Sequence, residues 1–149
     1  MDWNDYLTIF FGFIATALIL IQLYEYIPKR IKLVFSEIIV HTTSMSDNTN
    51  STLRVHFLTE NISNKNTKFS ISAILRIKLQ GTTHNKMSKE ERSGLKLESK
   101  KSTYEQLFFE FPNSLDTWDN PEIRFIYTFL KGNKIITRKT RWLSGMKTD

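Results

Sequence analysis

The stretch FSISAILRIKLQ, Phe69 to Gln80, decides the fold. Phe69, Ile71, Ala73, Leu75, Ile77 and Leu79 fall on one side, and Ser70, Ser72, Ile74, Arg76, Lys78 and Gln80 on the other. A helix face would bring apolar residues back every three or four positions. Alternation sustained over this length predicts a long strand with one face buried.

Working outward, Thr52–Glu60 repeats the pattern, with Leu53, Val55 and Phe57 inward and Arg54 and His56 outward. The Asn-, Ser- and Lys-rich turn Asn61–Lys68 joins the two. Further strands are expected at Leu33–His41, Leu95–Ser99, Thr103–Phe111 and Glu122–Leu130. The last turns Ile123, Phe125, Tyr127 and Phe129 to one side. Lys131-Gly132-Asn133-Lys134 then predicts a two-residue hairpin turn into Ile135–Trp142. With Gly132 and Asn133 at the tip, Phe129 faces Ile136, Tyr127 faces Arg138, Phe125 faces Thr140 and Ile123 faces Trp142. Seven short strands separated by turns fit an all-β, immunoglobulin-like antiparallel two-sheet sandwich, with a small β-barrel as the alternative. The Cys pair and core Trp that mark antibody domains are missing. Thr42–Ser51 and the charged Gly81–Gly94 read as loops, the second with room for a helical turn at Ser88–Arg92.

Ahead of this domain the chain is of another kind. Leu7–Ile21 reads LTIFFGFIATALILI, without a charge, and the apolar character runs on to Ile27 before Pro28. At 1.5 Å per residue, residues 7–27 make a helix of about 31 Å, the thickness of a hydrocarbon core. Trp3 and Tyr6 stand at one end and Tyr24 and Tyr26 at the other, as interfacial aromatic belts do. Residues 1–28 are therefore expected to be a transmembrane anchor and 29–149 a soluble domain. The acidic start MDWNDY and the lack of a small-residue cleavage site argue for a retained signal-anchor rather than a cleaved signal peptide. Lys29, Arg30 and Lys32 follow the helix at once and nothing basic precedes it. The positive-inside rule then places the N-terminus outside the cell membrane and the domain in the cytoplasm. The sequons Asn50-Ser51-Thr52 and Asn61-Ile62-Ser63 are discounted as chance matches in an Asn/Ser/Thr-rich chain.

The formal net charge of +6 is unevenly spread. Residues 1–28 hold Asp2, Asp5 and Glu25 and no Lys or Arg, so all 21 basic residues lie beyond them. A basic domain behind such an anchor points to an anionic neighbour, first of all the lipid bilayer itself. The absence of Cys removes disulfides, thiolate zinc sites and Cys nucleophiles together.

Chemistry-bearing motifs are scarce. His41, His56 and His84 lack metal-pair spacing and read as surface residues. No nucleophile elbow or phosphate loop occurs, so the chain is read as no enzyme, with no catalytic residue, metal or cofactor expected. Asp116-Thr117-Trp118-Asp119-Asn120-Pro121-Glu122 holds three carboxylates but lacks the spacing and Gly of a calcium loop. Trp118, at an apparent loop tip, reads first as a Trp folded back over the sandwich end, with a contact for a partner protein as the other reading. The cluster Lys134/Arg138/Lys139/Arg141 has only Trp142 for base stacking, which makes nucleic acid an unlikely partner. In the helix, Thr8, Gly12 and Thr16 form a small-residue stripe that would let two helices approach, so a homo-oligomer is a candidate state. Two functions follow: a membrane-tethered module that senses or recruits another protein, or an effector that oligomerises through its helix and perturbs the membrane.

Overall fold

The computed structural model describes residues 3–26, 31–43, 50–112, 115 and 117–148. It divides into two compact units, Met1–Arg30 and Ile31–Asp149. The first holds one helix, α1 (Trp3–Tyr26). Its window Asp5–Gln22 has a mean hydropathy of 1.7, making it long and apolar enough to cross a membrane.

The second unit is all-β. Its strands are β1 (Leu33–Thr43), β2 (Asn50–Asn61), β3 (Thr67–Leu79), β4 (Thr82–Met87), β5 (Arg92–Leu97), β6 (Ser102–Pro112), β7 (Trp118–Lys131), β8 (Lys134–Lys139), β9 (Leu143–Ser144) and β10 (Met146–Thr148). They form two sheets, one ordered β10-β1-β2-β6 and the other β4-β3-β7-β8, with β5 also on β3 and β9 also on β7. The alternation of β3 is realised as read: Phe69, Ile71, Ala73, Leu75 and Ile77 are buried. Between the sheets, the Phe125 ring lies 4.5 Å from both Phe35 and Phe57. Rings of this size bury the largest apolar areas per residue and dominate the core energetics.

β1 shows how a strand rescues a broken pattern. After Leu33 and Phe35, strict alternation would turn Glu37 into the core. A bulge between Ser36 and Ile39 prevents this, with Glu37 at φ 49°. The phase flips there, so Ile38 and Val40 are buried and the Glu37 carboxylate instead accepts a hydrogen bond from the Tyr104 hydroxyl.

Several expectations need correcting. Gly81–Gly94 is no loop and Ser88–Arg92 no helical turn. Gln80 (φ 46°) and Gly81 (φ 81°) make a tight turn into β4, and β5 follows. Pairing is not wholly antiparallel, since β10 runs parallel to β1. The final hairpin holds its expected register from Lys131↔Lys134 to Ile126↔Lys139, then slips by one, so that Ile123 faces Leu143 and not Trp142. The slip occurs at Thr140, whose N–H donates to Phe125 O (2.9 Å) and whose Oγ1 accepts from Phe125 N (3.0 Å). It packs Leu143 on the core and frees Trp142 for the outer face.

Both sheet edges are laced. On one, Ser88 N donates to Ala73 O and Lys89 N to Phe108 O, each at 2.8 Å, carrying the β4–β5 connection from one sheet to the other. Ion pairs Lys89–Glu110 (3.6 Å) and Arg92–Glu105 (3.7 Å) fasten it. On the other edge the chain leaves β9, passes Gly145 and joins β1 as β10, with Gly145 N donating to Pro121 O (2.7 Å). A Cβ at Gly145 would lie 3.1 Å from Val40 Cγ2 and 3.2 Å from Ile38 Cγ2, so a side chain there would fit only if those two methyls gave way. The sandwich is thus curled toward a barrel.

Candidate functional site

Strand directions collect four segments at the end where the chain enters the domain. Lys32 directly precedes β1, Lys65 lies in the β2–β3 turn and Lys68 at the start of β3, Lys96 lies at the end of β5 with Lys100 and Lys101 in the β5–β6 turn, and Lys131 and Lys134 flank the β7–β8 tip. All eight lysines are exposed, and Glu60 and Glu98 are the acidic residues among them. None of the lysines enters an ion pair among the described residues.

A buried asparagine fixes this end. Asn61 is fully buried. Its Nδ2 donates to Lys65 O (2.8 Å), Leu97 O (3.2 Å) and Glu98 O (3.2 Å), and its Oδ1 accepts from Ser63 N and Ser63 Oγ. The backbone adds Ile62 N to Lys32 O (3.1 Å), Asn61 N to Lys101 O (2.9 Å) and Lys100 N to Asn61 O (2.9 Å). Three lysine-bearing segments are therefore tied through one side chain and its backbone, and the amines project from a rigid frame. The same burial closes Asn61-Ile62-Ser63 to glycosylation.

On the outer face of the second sheet, at this end, lies one row across four strands. Lys96 of β5 is directly opposite Lys68 of β3, and Leu130 of β7 is opposite Ile135 of β8. The register Phe69↔Phe129 sets Lys68 beside Leu130. Leu130 and Ile135 are 59% and 72% exposed, unusual for a cross-strand apolar pair. A groove of about 260 Å³ runs beside them, lined also by Lys68, Gly94 and Thr128.

Other expected positions fall elsewhere. Trp118 is not a loop tip: it opens β7, is 2% exposed and donates from Nε1 to Thr42 Oγ1 (3.2 Å). A tryptophan packed this way offers no surface to a partner, which corrects that assignment. Asp119 and Glu122 belong to the same strand, opposite Lys78 and Arg76, while Asp116 lies outside the described residues. The guanidinium groups of Arg76 (3.8 Å to the ring centroid) and Arg124 (4.6 Å) both pack on half-buried Trp142, and Arg76 also pairs with Glu122 at 3.3 Å. In α1, Trp3 and Tyr6 are exposed and Thr16 Oγ1 donates to Gly12 O (2.8 Å). The side chains of Tyr24 and Tyr26, all of Lys29 and Arg30, and residues 44–49 lie outside the described residues.

The structure also joins what separate strand positions hid. His41 and His56 meet edge-on with ring centroids 5.3 Å apart on the outer face of the first sheet, and Thr148 Oγ1 is hydrogen-bonded to His41 Nδ1. Burial, then the charges of His41 and Arg54, hold the His56 imidazole below its usual range of about 6.5. No group of His and carboxylate side chains able to hold a metal occurs among the described residues.

No protein-family model matches the chain, and no curated protein matches it in sequence. Solved structures resemble it at low identity. A Northeast Structural Genomics Consortium target is 6% identical over 78% of this chain and 85% of that one, at a TM-score of 0.44. A protein from Archaeoglobus fulgidus is 10% identical over 80% and 98%, at 0.41. The sporulation control protein Spo0M from Bacillus subtilis is 8% identical over 80% and 49%, at 0.28. Resemblances this weak say nothing about activity.

Proposed function

We propose that the chain is a single-pass membrane protein whose β-sandwich works as a non-enzymatic interaction or sensing module held at the cell membrane. The observation that carries this reading is α1: 24 residues, with a mean hydropathy of 1.7 over the window Asp5–Gln22 and none of that window buried. Such a helix is stable only in apolar surroundings, and its length fits a bilayer. The basic residues Lys29, Arg30 and Lys32 support a cytoplasmic domain and an outside N-terminus. An immunoglobulin-like reading of the sandwich is supported by strand grouping: β1, β2 and β6 in one sheet and β3, β7 and β8 in the other parallel the A-B-E and C-F-G sets of that fold.

A second reading rests on the stripe Thr8, Gly12 and Thr16. Self-association there would make the chain a membrane-perturbing effector with the sandwich as trigger. Induced expression with a membrane-potential dye separates the two. A tether leaves the potential unchanged, whereas depolarisation that disappears in Gly12→Leu establishes the effector.

A further inference from the structure

We propose that the entry end of the sandwich is a docking surface for anionic lipid headgroups, with the row Lys96–Lys68–Leu130–Ile135 and the tip Lys131–Lys134 as its contact. The inference rests on the membrane reading above and adds to it a lipid-specific site on the soluble domain.

The first argument is a cost the fold bears without internal return. Lys131 is directly opposite Lys134, and Lys68 directly opposite Lys96. Like charges facing each other across strands are destabilising, and no acidic side chain among the described residues pairs with any of the four. An external anion would turn both repulsive pairs into favourable ones. Lysine, a compact flexible cation, suits mobile headgroups better than it suits a planar bidentate partner.

The second argument is composition within the row. Two lysines and two exposed apolar side chains stand side by side on one face, at the strand ends. Membrane-surface elements combine these types: the apolar pair enters the headgroup–acyl boundary while the amines stay among the phosphates. A site for a soluble polyanion would have no use for Leu130 and Ile135. The third argument is covalent. Ile31 follows Tyr26 by five positions, a span of at most about 18 Å, so the entry end cannot leave the neighbourhood of the bilayer that holds the helix. The cytoplasmic leaflet supplies the negative potential.

The chain has no Cys, so one introduced thiol labels uniquely. Full-length Asn133→Cys and, as a control at the other end, Thr83→Cys carry an environment-sensitive dye in nanodiscs of phosphatidylcholine with or without phosphatidylserine. Phosphatidylserine should blue-shift the dye at position 133 and leave that at 83 unchanged, and about 1 M salt should abolish the shift as the screening length falls to about 3 Å. Lys131→Gln with Lys134→Gln should lower the docked-to-free ratio about 30-fold without lowering the melting temperature. Leu130→Ser with Ile135→Ser should weaken docking in a way salt does not mimic.

Equal emission in both lipids from a protein that co-migrates with the nanodiscs overturns docking alone. Failure to enter nanodiscs overturns docking and the membrane reading together. A shift caused by an oligonucleotide in neutral nanodiscs, with none from phosphatidylserine, overturns it in favour of nucleic acid.

Discussion

The arginines of the sheet faces and the lysines of the entry end serve two ends. On the sheet faces, arginines are engaged: Arg76 and Arg124 on Trp142, Arg54 over Phe108 at 5.3 Å, Arg138 over Phe129 at 5.6 Å, and Arg92 with Glu105. At the entry end, the lysines are exposed on a frame held by Asn61, and among the described residues only Lys100 of this set bonds that frame, from Nζ to Ile62 O (3.1 Å). A guanidinium is planar and weakly hydrated, so it stacks and contributes to the fold. An ammonium in solvent contributes little to folding and is available to an outside anion. Residues that stabilise and residues that are presented can thus be told apart by what they touch.

Substitutions should separate the two regions. The largest effect is expected at the frame. Asn61→Ala leaves the buried carbonyl of Leu97 and the part-buried one of Glu98 without this donor and opens a cavity at a fully buried side chain; a lost buried partner alone costs about 1–3 kcal/mol. Thermal unfolding of the full-length protein in detergent should show a loss of about 3 kcal/mol or more, and a loss under 1 kcal/mol would show that the frame is not held this way. The arginine stack comes next. Trp142→Ala removes two cation–π contacts and should cost about 1–2 kcal/mol, with lipid dependence unchanged.

Lys100→Gln with Lys101→Gln should stay within about 0.5 kcal/mol of the parent. A larger loss would make these lysines structural and erase the contrast. The smallest effect concerns pH. The folded protein holds His56 below 6.5, so below that value the unfolded chain binds more protons and stability falls with pH. The fall in melting temperature from neutral pH to about pH 5 should be shallower in His56→Gln, and an identical slope would remove His56 from the acid response.

How much of this was legible before folding depended on burial. The long strands β3 and β7 announce themselves because one face of each must be apolar, and the Gly132-Asn133 turn fixes the hairpin partner of β7. β4 left no such signal: Thr82, Thr83, His84, Asn85 and Lys86 are polar on both sides, as an exposed edge strand tolerates. β9 and β10 have two and three residues, and a β-period cannot be read over so few. The bulge at Glu37 was in principle visible, as a carboxylate at an inward position. Trp118 was misplaced because its neighbours Asp116, Asn120 and Pro121 mimic a turn, whereas Asn120 at φ 50° makes a bulge inside a strand. The lysine end was illegible for another reason. Its members run from Lys32 to Lys134 in sequence, and only the strand directions gather them.

The account stands on α1 lying in lipid with the domain on the cytoplasmic side. Two single-cysteine variants of the full-length protein, Ala15→Cys and Asn133→Cys, test this in sealed vesicles of both orientations with a membrane-impermeant maleimide. The account predicts that position 15 reacts in neither vesicle and that position 133 reacts only where the cytoplasmic face is outward. Reaction at position 15 in water would contradict the membrane span, and reaction at position 133 from the external face would contradict the orientation.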